Sequence, residues 1–230
     1  MKLKELFEET YKHYPWQVTS NEELLKLPGW KRDNDNGGLY FQVDGEMYIN
    51  GKFDDLTKTF TPYTYYEQEI VDDMLVEYQG NKYLPFQLAI WPTDCNIINS
   101  DLNSFIGLPN KINGDLRIAN TIFKDMEECP SIITQNFIFD MLPIRYRLSN
   151  YIKEAKYITM TNNTDNNISY KGFLSFLKIH NLRFVQTLGS LTLSHIPAAK
   201  IINRHLKSGR NINKCKSELI EAGLEEYAQL

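Results

Sequence analysis

From Trp91 to Asn163 the apolar positions of this chain recur every twenty-one residues. Cys95 and Ile97 align with Leu116 and Ile118, then with Phe137 and Phe139, then with Ile158 and Met160. Leu102, Phe105, Leu108 and Pro109 align with Phe123, Met126, Cys129 and Pro130 at the same spacing. Each row holds an in-out-in strand, a second apolar group and a turn with proline; the period of two puts the paired residues on one face of the strand. A single row cannot bury its apolar edge, whereas stacked rows share a continuous core, which is the logic of a solenoid. The alignment predicts parallel strands with Leu116, Ile118, Phe137, Phe139, Ile158 and Met160 buried.

The pattern before the rows is different. Lys2 to Tyr14 sets Leu3, Leu6, Phe7 and Tyr11 on one side of an amphipathic helix that Pro15 ends. Ser20 or Asn21 caps a short second helix, which Pro28-Gly29 stops. Residues 31–38 read as a polar loop. Leu39 to Val43 and Glu46 to Asn50 read as strands joined by Asp44-Gly45, a hairpin signal. Asn50-Gly51 reads as a second turn, with a third strand over Phe53 to Phe60. Glu67 to Met74 reads as helical, and Leu75 to Tyr78 pairs with Lys82 to Phe86 around Gln79-Gly80-Asn81.

After the rows, Thr161 to Asn167 is a loop by composition and Tyr170 to Ile179 is helix-like. Leu182 to Val185 and Leu191 to Leu193 read as the last strands, the first slightly out of register. Pro197 sits at a helix start, and Ile212 to Ala228 forms a final amphipathic helix. The fold class expected is α+β, in three parts: a small N-terminal antiparallel α+β domain (1–88), a leucine-rich-type solenoid (89–196) and a C-terminal helical cap (197–230) over its open end.

The segment Leu108-Pro109-Asn110-Lys111-Ile112-Asn113-Gly114-Asp115-Leu116-Arg117-Ile118 resembles degenerate leucine-rich-type repeats of uncharacterised accessory proteins of large tailed bacteriophages. In those rows a proline, a small-residue turn, a two-apolar strand and an asparagine hold similar positions; here Asn99, Asn120 and Asn162 follow the strands, while Met141 breaks the column. Their closing segment resembles Ile202 to Arg210, then Cys215 and Glu218 to Gly223. The resemblance covers the last part of the chain and implies an accessory phage protein that acts by binding. It brings no catalytic residue.

Bulk composition narrows the partners little. A net charge of −4 argues against a general nucleic-acid coat. No apolar run is long enough to cross a bilayer, and the acidic N-terminus is unlike a secretory signal. The three cysteines, Cys95, Cys129 and Cys215, read as buried thiols of a reducing cytosol, so the expected location is cytoplasmic, in the infected bacterial host if phage-encoded.

Stacking would align the outward residues in columns: Asn96, Arg117, Ile138 and Thr159 in the middle, flanked by Asp94, Asp115, Asn136 and Tyr157 and by Ile98, Ala119, Asp140 and Thr161. This mixed surface is the expected partner-binding site, centred on Arg117 and Ile138 with Asp115 and Asp140 beside them. A second candidate is anion binding by Lys200, Arg204, Lys207 and Arg210, of which the first three share a helix face.

No cofactor, metal site or catalytic centre is expected. Asp33-Asn34-Asp35-Asn36-Gly37-Gly38 lacks an oxygen ligand at its fifth position and the closing Glu of a calcium loop. His13, His180, His195 and His205 are scattered, and buried thiols keep a high pKa. The expected function is non-enzymatic binding of a host protein, a defence factor being one candidate, so that the partner is inhibited or redirected. The alternatives are a nucleic-acid-associated protein using the basic cap and an enzyme with an N-terminal site.

Overall fold

The computed structural model describes residues 17–65, 70–140, 147–161, 172–188 and 195–229. The expected helix over 2–14, the loop tip at 162–167, the strand over 191–193 and the column positions Met141 and Asn162 lie outside the described residues.

The chain is α+β. A short helix α1 (Asn21–Leu24), whose N-terminus is capped by the Ser20 hydroxyl, leads into a sheet of β1 (Trp30–Asp33), β2 (Gly38–Val43), β3 (Glu46–Asp54) and β4 (Thr59–Tyr65), paired antiparallel in that order. A 3₁₀ turn (Asp72–Met74) and the small hairpin β5 (Val76–Tyr78) and β6 (Asn81–Tyr83) follow. β7 (Gln87–Leu88) then joins β4 in parallel.

Two expectations fail here for physical reasons. Trp30–Asp33 is an edge strand rather than part of a loop, because Trp30 is buried and packs edge-on against Phe60 and Phe86. Asn50-Gly51 is no turn but lies inside β3, at a register shift against β4. A Cβ at Gly51 would lie 2.7 Å from the Pro62 Cα, so the glycine serves a close approach at a bulge. The turn comes later, at Asp54–Lys58, where the Asp54 carboxylate accepts from the Leu56 N–H (2.8 Å) and Lys58 takes a positive φ of 58°.

The rows form the second sheet. β8 (Cys95–Ile98), β9 (Lys111–Ile112), β10 (Leu116–Ala119), β11 (Ile132–Phe139), β12 (Glu154–Thr161) and β13 (Phe184–Leu188) are all parallel, ordered β13-β12-β11-β10-β8 with β9 also on β11. Leu116 pairs with Cys95 and with Phe137, and Phe137 with Ile158, each a step of twenty-one residues. Leu116, Ile118, Phe137, Phe139, Ile158 and Met160 are buried, as the row alignment predicts. The next step is longer: Ile158 pairs with Val185. The last strand among the described residues is therefore Phe184–Leu188, not Leu182 to Val185.

Asparagines close β8 and β10. Asn99 and Asn120 adopt positive φ (52° and 50°), and the Asn120 amide donates to the Asn99 carbonyl at 2.9 Å. Before the strands the chain turns a corner at Gly114, where a Cβ would stand 2.6 Å from the Asp94 nitrogen and also meet its carboxylate.

A 3₁₀ segment (Phe173–Lys178), α2 (His195–Lys207), α3 (Ile212–Glu221) and a 3₁₀ turn (Glu225–Tyr227) complete the chain, with α2 against β13 and against both the 3₁₀ segment and α3. The expected single helix over Ile212 to Ala228 is thus broken after Glu221, where Gly223 takes a φ of 71°. The key contact is Asn203 of α2: its carbonyl accepts from the Val185 N–H at 2.7 Å and its amide donates to the Val185 carbonyl at 2.8 Å. One side chain thereby takes the place of the strand that would come next. One buried apolar cluster runs from Leu24 to Ala228 and includes residues from each of the three expected parts.

Candidate functional site

Alternation along the parallel strands leaves one side chain in two on the outer face of the second sheet. Register pairing aligns Asp94, Asp115, Asn136, Tyr157 and Phe184 in one column, and Asn96, Arg117, Ile138, Thr159 and Gln186 in the next. Ile98, Ala119, Thr161 and Leu188 fall in the third, with Asp140 at the end of β11 beside them. The columns expected from the row alignment are brought together, and β13 adds Phe184, Gln186 and Leu188 to them.

Side chains at the acidic end hold the stack. The Asp94 carboxylate accepts from the Asp115 N–H at 2.7 Å, the Asp115 carboxylate from the Asn136 N–H at 2.8 Å, and the Asn136 carbonyl from the Thr159 hydroxyl at 3.1 Å. Asp140 accepts from the Asn120 N–H at 2.9 Å. Partial burial raises the Asp115 carboxyl above its usual range; the Asn136 N–H lowers it again and the Asp94 charge adds to the rise. Asp94, Asp115, Asn136 and Asp140 are therefore structural first, with the rest of each side chain half-buried at the surface.

Thr159 requires a correction. It is buried, between Ile138 and Gln186 in the neighbouring strands, with its hydroxyl turned to Asn136, and it offers a partner no surface. Arg117 is exposed, while Asn96, Ile138 and Tyr157 are half-buried.

The larger exposed apolar area lies where the row alignment did not reach. Phe184 is 40% exposed and Leu188 43%, on the same face as Tyr157. They escape a search at twenty-one residues because the chain inserts extra residues before β13. Phe184-Val185 is apolar on both faces of the strand, so the pattern carries no alternation that would have singled out the outward residue.

The basic cap is only partly available. Lys200, Arg204 and Lys207 share an exposed face of α2, as their spacing predicts. Arg204, however, pairs with Glu218, which also accepts from the buried His205 (2.8 Å). Arg210 is turned inward, donating to the carbonyls of Leu177 (3.5 Å) and Leu182 (2.6 Å). The four cations thus do not form one anion cradle, since two have other partners.

The N-terminal sheet carries two open clefts of about 490 Å³ each. One is lined by Lys52, Asp54, Asp55, Leu56 and Tyr63, the other by Phe41, Gln42, Asp72, Asp73 and Leu75. In the second, Asp72 accepts from the Ser100 hydroxyl and the Asp101 N–H, both at 2.8 Å. Asp33 likewise turns on its own loop, accepting from the Asn36 N–H at 3.1 Å. Among the described residues no group of His, Cys, Asp and Glu side chains is placed to hold a metal ion. Among them, too, no helix is long and apolar enough to cross a membrane. Compared with known protein families, curated proteins and solved structures, the chain matches none.

Proposed function

We propose that the parallel stack is a short leucine-rich-type solenoid and that the chain is a non-enzymatic binding protein whose outer sheet face holds a partner protein. The observation that carries this reading is the exposure of Phe184 (40%) and Leu188 (43%) next to Tyr157. Large apolar side chains on a rigid, hydrogen-bonded face are the kind of anchor on which binding energy concentrates. The twenty-one-residue step of the register supports the solenoid. The likeness of its rows to phage repeat proteins supports an accessory phage protein, acting in the bacterial cytoplasm on a host protein that it inhibits or redirects, a defence factor being one candidate.

The test is capture from nuclease-treated bacterial lysate by the full chain and by a Phe184→Asp, Leu188→Asp variant of unchanged melting temperature. A protein held by the wild type and lost by the variant is the expected result. Equal capture by both places the interface elsewhere. Arg117→Glu and Ile138→Asp then ask how far the contact extends toward the acidic end.

A further inference from the structure

The outer face changes character along the stack. Its first three strands present Asp94, Asp115 and Asp140, and its last two present Tyr157, Phe184 and Leu188. Beside the Asp94-to-Phe184 column, one residue earlier in each row, stand in succession Thr93, Gly114, Gln135, Lys156 and Arg183. The Arg183 N–H donates to the Lys156 carbonyl at 2.9 Å, so the residue before β13 lies beside Lys156 of β12, their backbones about 4.8 Å apart.

The Lys156 ammonium donates to the Gln135 carbonyl at 3.1 Å and lies 5.3 Å from the centroid of the Tyr157 ring. Arg183 is exposed. Among the described residues neither cation is paired with a carboxylate. The two cations thus spring from neighbouring backbone positions and keep their charge free of carboxylates among the described residues, so an anion laid across these positions meets both.

We propose that the partner meets this end of the face with a protein segment carrying carboxylates next to an apolar or aromatic side chain. The carboxylates lie over Lys156 and Arg183, and the apolar group lies over Tyr157, Phe184 and Leu188. This rests on the reading of the face as a protein-binding surface and adds the chemistry of what binds it. A single-stranded nucleic acid would use the same aromatic pair as a stacking platform and the same cations for phosphate. The rest of the face favours a peptide. A polyanion continuing along the columns would run onto Asp140 and Asp115, whereas a peptide changes charge from one residue to the next.

The experiment selects a random-peptide library on the immobilised full chain, then measures the winning peptides by fluorescence anisotropy, with oligothymidylate as a second probe. Expected are peptides with Asp or Glu adjacent to Leu, Phe, Tyr or Trp, whose affinity falls as salt rises. Lys156→Glu with Arg183→Glu should weaken them about tenfold or more, while Lys200→Glu with Lys207→Glu on the cap leaves them unchanged. Winners without an acidic bias, or winners bound equally by the Lys156, Arg183 variant, overturn the acidic segment. If Phe184→Asp still abolishes those same peptides, the face survives as a binding surface; if it does not, both readings fall. Failure to enrich any peptide also overturns the inference. So does oligothymidylate binding that exceeds the peptides and is lost in the Lys156, Arg183 variant, which assigns the site to nucleic acid.

Discussion

The contact between Asn203 and Val185 gives the sharpest prediction about the fold. Asn203 is buried in α2, and its amide satisfies both the N–H and the C=O that Val185 directs away from β12. Asn203→Ala removes the two hydrogen bonds and leaves two backbone groups unpartnered in a site that is closed to solvent. Each such group costs about 1–3 kcal/mol. Alanine returns roughly half a kcal/mol through its better helix propensity. The net loss is then roughly 2–5 kcal/mol, a large part of the ~5–15 kcal/mol by which a domain is stable. For a chain of this size it lowers the melting temperature by roughly 5–15 °C.

Thermal unfolding followed by circular dichroism measures the loss, and amide exchange at Val185 localises it. Asn203→Asp distinguishes hydrogen bonding from packing. It keeps the acceptor for the Val185 N–H but sets a carboxylate against the Val185 carbonyl, so its deficit should shrink as falling pH protonates that carboxylate and restores a donor. Lys200→Ala, exposed on the same helix, should change stability by less than about 0.5 kcal/mol. An Asn203→Ala protein as stable as the wild type, with unchanged exchange at Val185, would falsify the capping role.

Three further outcomes test other parts of the structure. Gly114→Ala should destabilise by about 1–3 kcal/mol in chemical denaturation, because its Cβ would press on the Thr93 and Asp94 backbone, and an unchanged midpoint would mean that the corner is loosely packed. The His205 hydrogen bond, followed by the nearby Arg204 charge, holds the Glu218 carboxyl below the usual glutamate range. Its folded pKa is depressed, so its stabilising contribution is present above the unfolded value and lost as pH falls through the folded one; Glu218→Gln should flatten the acid limb of the stability curve below that value. Burial raises all three thiols, Cys215 to about 12, so the native protein should leave a thiol reagent unreacted until denaturant is added, and rapid labelling of the folded chain would contradict that burial.

How much was legible in the sequence depended on where the periodicity was strict. Leu116, Ile118, Phe137, Phe139, Ile158 and Met160 announce their burial and their register because every step between them is equal and the inward residues are all apolar. Phe184 and Leu188 were not legible, since the inserted residues before β13 break the period and the rotation of the stack is set by hydrogen bonding, not by residue count. Gly51 illustrates a different limit: Asn-Gly is a turn signal by local preference, but β3 needs a residue without a Cβ where β4 crosses close, and tertiary packing overrides the local signal. Arg204 reads as exposed by helix spacing and Arg210 as a member of the same basic run, yet long side chains reach partners far off in sequence, Glu218 in one case and the carbonyls of Ile179 and Leu182 in the other.

The two edges of the parallel sheet narrow the way the proposed partner would engage it. A parallel sheet ends in strands whose outward N–H and C=O groups invite another strand. At the β8 edge the Asn96 carbonyl accepts from the Ile70 N–H at 3.1 Å, within a segment anchored by Asp72 on Ser100 and Asp101. At the β13 edge Asn203 occupies Val185. Strand addition at either end would have to break these contacts before gaining its own, so the edges are poor docking sites. The face has no such obligation: Arg117, Phe184 and Leu188 carry exposed surface, and the hydrogen bonds beneath them are already made between neighbouring strands. Binding through side chains on a fixed backbone leaves the stack intact, so amide exchange of Val185 and of the residues paired across β10, β11 and β12 should slow or stay unchanged in the complex. Faster exchange at Val185 on binding would show that a partner strand displaces Asn203, and would move the interface from the face to the edge.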